Sequence, residues 1–329
     1  MNHLFIVTHT DLDGVGSAAA YVRLAGVEKD YYTIVFAEPY NLDEALSGLK
    51  DYVGSGDRLV LADLGPNKLV FEEVVNLMKH FIDNGVEVEW YDHHIWDPSE
   101  EREIKSLGVK LYIDTSTCAT GVVVKYFPHE RRDESGFTER LAKAVCAADL
   151  WRWDDPLAPK LFRVAGNRRD EDWKRRLVDK LSSGILWDDE LQAKLEEYVN
   201  RELEGMHKAL KNLVVRGSRS DCLVAATIKD EGPPSSSFVG ALMLSRYGAD
   251  IAVIARPNGA LSLRSRSVNV QVVAKRLGGG GHPRAAGAKI SVPLWVRIAS
   301  IIYRKALSRY IAGLVRSKAL EEGVCRPQS

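Results

Sequence analysis

The 329-residue sequence has little cysteine, no net charge and no long apolar run. The four cysteines, Cys118, Cys146, Cys222 and Cys325, are scattered and form no C-x-x-C pair. Their spacing argues against a zinc site or a disulfide framework and fits a reducing, cytoplasmic setting. No apolar stretch is long enough to cross a bilayer, so no membrane partner is expected. The opening segment, MNHLFIVTHTDLDG, has neither a basic leader nor a cleavage-like site, and reads as a buried first strand rather than a signal peptide.

Zero net charge conceals an uneven distribution. Residues 1–155 carry 28 acidic against 15 basic side chains, residues 156–210 carry 11 of each, and residues 211–329 carry 6 against 19. The first part suits cations and the last suits anions such as phosphates. With 45% hydrophobic and 27% charged residues, the chain is ordinary for a globular protein and long enough for two cores. We expect domains at 1–155 and 211–329, joined by a charged helical linker at 156–210.

Short β-rich runs at 4–9, 31–37, 58–63, 86–94 and 109–114 alternate with helix-forming segments, which predicts a parallel sheet covered on both faces. The long segment after Pro66 closes at Gly85. Residues 137–153 read as a helix. Beyond residue 213 the chain predicts a smaller α/β domain with a mixed sheet. Its strands lie near 222–229, 250–256 and 260–267. One last helix runs over 293–315, followed by a frayed tail.

Acidic and histidine clusters stand where the first domain's strands end, or on its last helix. They are His9, Asp11 and Asp13; Asp63; Asp92, His93 and His94; and Asp149. In an open parallel sheet, the loops at the strands' carboxyl ends converge on one edge. Carboxylates gathered there repel, and divalent cations relieve that conflict. A carboxylate–imidazole set favours manganese, with magnesium, cobalt or zinc as alternatives. Two ions sharing one carboxylate can activate a hydroxide and clamp a phosphate for in-line attack. Each cluster alone admits a structural reading: Asp11, Asp13 and Asp63 can cap helices. Gly14, Gly16 and Ala19 fit the dinucleotide fingerprint G-x-G-x-x-A, but two aspartates directly before it would repel an unshielded pyrophosphate.

The second signal is LGGGGHPRAAG. Gly279, Gly280 and Gly281 allow close backbone approach to an anion, His282 and Arg284 add polar contacts, and a helix N-terminus downstream would add its dipole. Upstream, Arg264 and Arg266 alternate on a predicted strand and would point to one face.

The Asp92-His93-His94 triplet, with DLDG, LADLGPN and Asp149, resembles the DHH phosphoesterase superfamily. LSLRSRSVNV with GGGGHPRAAG resembles its DHHA1 domain, whose glycine loop binds substrate phosphates or nucleotides. The combination is more similar to the oligoribonuclease branch (nanoRNase and phosphoadenosine-phosphate phosphatase) than to RecJ. The resemblance implies His9 and Asp11 at one metal, Asp13, His93 and Asp149 at the other, and Asp63 bridging. His94 would face the phosphate and assist the leaving oxygen, and Asp92 would orient a histidine. Many members place the histidine four residues before the first aspartate; here Val7 fills that place and His9 stands two before.

The expected activity is manganese-dependent hydrolysis of short single-stranded RNA or DNA oligonucleotides, nanoRNA above all. The alternatives are a cyclic dinucleotide phosphodiesterase, a 3′-phosphoadenosine-5′-phosphate phosphatase, an inorganic pyrophosphatase, or a non-catalytic replication scaffold. Zero net charge disfavours nonspecific binding along DNA. A homodimer is compatible with the chain.

Overall fold

A computed structural model describes residues 2–130, 133–166, 170–218 and 220–325. The chain forms two compact units, residues 1–195 and 196–329.

In the first unit the elements run β1 (Leu4–His9), α1 (Leu12–Ala25), β2 (Tyr32–Ala37), α2 (Leu42–Ser47), β3 (Arg58–Ala62), α3 (Phe71–Asp83), β4 (Glu87–Asp92), α4 (Pro98–Ser106) and β5 (Lys110–Ile113). Helices α5 (Ala119–Tyr126), α6 (Phe137–Asp149), α7 (Ala158–Val164) and α8 (Glu171–Ser182) follow, and α9 (Asp189–Lys211) runs across the boundary. The sheet is parallel throughout, in the order β2-β1-β3-β4-β5. The order reverses between β1 and β3, which makes their carboxyl ends the switch point of the sheet.

Alternation along β1 builds two cores. Leu4 and Ile6 enter one with α1, α5 and α6, while Phe5 and Val7 enter the other with α2, α3 and Trp90. This is the period-two pattern of a strand buried on both faces. The segment 156–195, expected to be linker, is helical but belongs to the first unit. Leu161, Trp173, Leu177 and Leu181 lie in its core. Their spacing reads as a charged helix in sequence because the opposite face carries the charges.

Helix α1 starts close against its own strand. A Cβ on Gly14 would stand 2.1 Å from the His9 carbonyl oxygen, and one on Gly16 would stand 2.6 Å from Thr120 Oγ1. The fingerprint-like glycines therefore serve helix-to-strand and helix-to-helix packing.

The second unit runs β6 (Val214–Arg216), β7 (Val224–Ile228), α10 (Ser236–Tyr247), β8 (Ile251–Ala255), β9 (Ala260–Arg264), α11 (Val270–Arg276), β10 (Gly280–Gly281), β11 (Ala285–Lys289), α12 (Leu294–Ile302) and α13 (Ala306–Glu321). Its sheet is mixed, in the order β10-β11-β9-β8-β7-β6, with only β7 and β8 parallel. The expected final helix is two helices, because Tyr303 adopts extended backbone. The break lets Val296 and then Leu307 and Ile311 turn into one core.

The cysteines overturn the expectation of free thiols: Cys118 pairs with Cys146, and Cys222 with Cys325. Their long sequence separations concealed a proximity that only packing creates. Cys325 is buried, so the tail is held at least that far; residues 326–329 lie outside the described ones. No helix among the described residues is long and apolar enough to cross a membrane.

Gly14→Ala is expected to lower stability by about 3 kcal/mol, since the backbone carbonyl cannot retreat as a side chain could. Chemical denaturation tests this, and an unchanged midpoint would show that α1 can slide.

Candidate metal centre

The switch point collects the predicted ligands. β1 ends in His9, and the next turn carries Asp11, whose Oδ1 caps α1 through the amides of Asp13 and Gly14. Its Oδ2 lies 3.1 Å from His9 Nδ1. Capping and ligand geometry thus coexist in one carboxylate. The other ring nitrogen, His9 Nε2, lies 3.1 Å from Glu38 at the end of β2. Such an outer carboxylate fixes the ring and raises its basicity as a ligand.

Asp63 follows β3 in left-handed backbone, at φ 57°, with its amide bonded to the Tyr91 carbonyl. This conformation is uncommon for a residue other than glycine. Its two oxygens face different histidines: Oδ2 stands 3.3 Å from His9 Nδ1, and Oδ1 stands 3.4 Å from His93 Nε2. Oδ2 is buried and accepts no hydrogen bond among the described residues. Around His93 Nε2 lie Asp149 Oδ2 at 3.7 Å and Asp13 Oδ2 at 3.8 Å. Asp13 is also gripped by the start of α5, accepting from the amides of Ala119 and Thr120 at 2.7 and 2.9 Å and from the Thr120 hydroxyl at 2.7 Å.

Two adjacent donor groups result: His9, Asp11 and Asp63; and Asp13, His93 and Asp149. Within each group the potential ligand atoms lie within 4.8 Å of one another. His94 pairs with Asp63 and His93 in a third such group, and its Nδ1 lies 2.8 Å from Asp92 Oδ1. Asp92 is buried and accepts from Trp96 Nε1 at 2.6 Å, so it holds His94 rather than facing the cluster. A fourth group, Glu87, Glu89 and His129, shares no residue with these and already has cations beside it: Arg58, 2.9 Å from Glu87 and 3.6 Å from Glu89, and Lys110, which bonds Glu87.

The electrostatics record the crowding. Burial, then the charges of Asp63 and Asp149, raise Asp13 well above the carboxylate range. Burial, then Asp11 and Asp63, push Asp149 up to about 7. Burial works against protonation of His93, but the bond to Asp63 and the surrounding carboxylates lift it to about 10. His9 is raised in the same way, against burial, by Asp11, Asp63 and Glu38. Protons stand where divalent charge would fit. The buried, unbonded Asp63 oxygen and the mixed oxygen–nitrogen donor set suit two such cations.

Sequence reasoning missed Glu38, Thr120 and Trp96. Glu38 was accessible to it, since it closes β2 as Asp63 closes β3. The other two have no local signature.

In the second unit the anion-binding candidates differ in part from expectation. Arg264 ends β9, but Arg266 lies beyond the strand. Both guanidinium groups nonetheless reach α10, donating to Ser237 Oγ and Ser245 Oγ. These serines stand eight residues apart on one helix face. Burial pulls the Arg264 pKa down. Gly279 leads into β10, which Gly280 and Gly281 themselves form in a hairpin with β11, so a strand rather than a helix follows the loop. Gly281 has φ 128°, and a Cβ there would stand 2.7 Å from Ala286 Cα. His282 is exposed beside it.

Residues 3–148 match the DHH family N-terminal domain, and residues 221–306 match the DHHA1 domain. The chain carries a DHH domain and a DHHA1 domain. This DHH protein is 24% identical over 315 residues to oligoribonuclease NrnB of Bacillus subtilis strain 168, covering 88% of the chain and 73% of that relative. Its fold is similar to that of the pGpG-specific phosphodiesterase PggH of Vibrio cholerae, with TM-score 0.57, 14% identity, and 93% and 99% of the two chains covered. It is also similar to RecJ of Thermus thermophilus in complex with Mn2+, with TM-score 0.56 and 16% identity over 97% of this chain and 52% of RecJ.

Because the native metal-free cluster retains protons that an unfolded chain would release, its stability falls as pH rises. For Asp149 the window runs from the ordinary carboxylate value to about 7, and for His93 from the ordinary imidazole value to about 10. A divalent cation bound there would have to displace these protons, so manganese affinity should weaken at least about tenfold from pH 8 to pH 6, with protons released on binding. Calorimetry in buffers of different ionisation enthalpy measures both. Affinity independent of pH would contradict this arrangement.

Proposed function

We propose that this DHH phosphoesterase is a two-cation phosphodiesterase that hydrolyses short oligoribonucleotides. Asp63 carries the reading: one buried carboxylate stands between His9 and His93, each the centre of its own donor group. A carboxylate so placed would suit a ligand shared by two cations. His9, Asp11 and Asp63 would hold one ion, and Asp13, His93 and Asp149, with Asp63, the other. Manganese is the proposed metal. When bound, such ions neutralise the phosphoryl oxygens and acidify water for in-line attack.

The protein's own groups supply the remaining steps. His94 keeps Nδ1 on Asp92, which leaves Nε2 to donate to a phosphate oxygen or to the departing alkoxide. Burial opposes its protonation, but the bond to Asp92 and its charge raise the His94 pKa and favour the proton-bearing form that a general acid needs. Glu38 and Asp92 keep the two rings from turning.

We assign Arg264, Arg266, Gly279, Gly280, Gly281 and His282 to the substrate's further phosphates. Residues 251–320 carry 13 basic and no acidic side chains. Among the described residues neither Arg264 nor Arg266 pairs with a carboxylate, so both guanidinium groups can take an anion. The similarity to NrnB supports an oligoribonucleotide substrate.

Purified protein with manganese should convert end-labelled di- to pentaribonucleotides to mononucleotides faster than decanucleotides. Asp63→Asn should lower that rate by at least about 100-fold. Preferential turnover of cyclic dinucleotides or 3′-phosphoadenosine-5′-phosphate would reassign the substrate. Unchanged turnover in Asp63→Asn would overturn the centre.

A further inference from the structure

Helix α6 delivers Asp149 to the cluster and ends there, and the next turn is unusual. Trp151 and Trp153 both adopt left-handed backbone, each at φ 59°. Bulky residues rarely do so, and conformations of this kind persist where the surrounding structure imposes them, often at functional sites. Here the amides of Arg152 and Trp153 both donate to the Ala147 carbonyl, at 3.0 and 2.9 Å, folding the chain back on the end of α6.

The turn presents one indole and roots the other. Trp153 is half-buried and packs with Phe162 against the first unit's core. The two rings stand edge to face, their centroids 5.6 Å apart. Trp151 meets Trp153 edge to face at 4.8 Å yet remains 41% exposed. Its Cα lies two peptide steps from that of Asp149, so no farther than about 7.6 Å. The turn that carries this braced indole therefore starts beside a ligand of the proposed centre.

We propose that Trp151 is a nucleobase-stacking platform, which binds the base of the nucleotide whose phosphate enters the centre. This rests on the phosphodiesterase reading above and adds what that reading leaves open, the recognition of the base. Every base has a π-face, so stacking of this kind tolerates sequence. The preferred substrate class is then base-bearing phosphodiesters of any sequence, with abasic ones disfavoured. Trp151 would act as a positioning residue, and Trp153 and Phe162 would hold it in place.

The test is a double-mutant cycle between the indole and the base. Wild-type protein, Trp151→Ala and Trp151→Phe are titrated by calorimetry, with calcium present to suppress turnover. The ligands are pApA and its counterparts lacking either the 5′ or the 3′ base. Wild type should bind pApA about tenfold tighter than one of the abasic counterparts. Trp151→Ala should lose that tenfold preference, and Trp151→Phe should recover most of it. With manganese, Trp151→Ala should raise KM for pApA and leave kcat near wild type. Equal weakening of base-bearing and abasic ligands by Trp151→Ala would assign the indole a purely structural role and overturn the platform, as would unchanged pApA binding. Both results leave the phosphodiesterase reading intact, whereas wild-type protein that binds none of the dinucleotides would sink both.

Discussion

Four carboxylates crowd one edge of the first sheet, and their mutual repulsion is the constraint around which that unit is arranged. Asp13 and Asp63 are almost wholly buried, which is costly for charged groups without compensation. Part of the compensation is internal. Two amides and a hydroxyl at the start of α5 hold Asp13, and His9 and His93 stand among the acids. The pKa of Asp149 near neutrality shows that it is incomplete. Divalent cations would supply the rest, which is why the proposed chemistry follows from the fold's own electrostatic conflict.

The scaffold sets those positions from several directions. β1 and β3 flank the switch point and deliver His9 and Asp63, while the end of β4 leads directly into His93 and His94. The rest comes from helices. α5 grips Asp13 with its first amides, and α6 ends on Asp149. The Cys118–Cys146 disulfide ties the residue before α5 to the last turn of α6, so the two helices that complete the second donor group are linked covalently. Further out, Glu38 and Asp92 orient the rings, one from the end of β2 and one from the end of β4.

Much of this was legible because strand ends in a parallel sheet converge. A rule that places strand-terminal acids together needs no knowledge of side-chain detail, and it brought Asp11, Asp13, Asp63 and His93 to one edge. His9 met Asp11 and Asp63 despite its spacing, with Val7 buried in the core. Relations fixed only by tertiary packing were not legible. The cysteine pairs lie 28 and 103 residues apart, and Thr120 reaches Asp13 across more than a hundred residues. The helices after residue 156 look like a linker because their charged faces dominate composition, yet Trp173 and Leu177 face the core. Arg266 fell outside its expected strand because pairing with β11 ends at Arg264.

Metal stoichiometry tests the central claim most directly. Protein equilibrated with manganese, dialysed and measured by elemental mass spectrometry should carry two ions per chain, and Asp63→Asn should lose at least one. Wild-type protein that retains no manganese, or an Asp63→Asn variant that retains as much as wild type, would contradict a paired-cation centre bridged by Asp63.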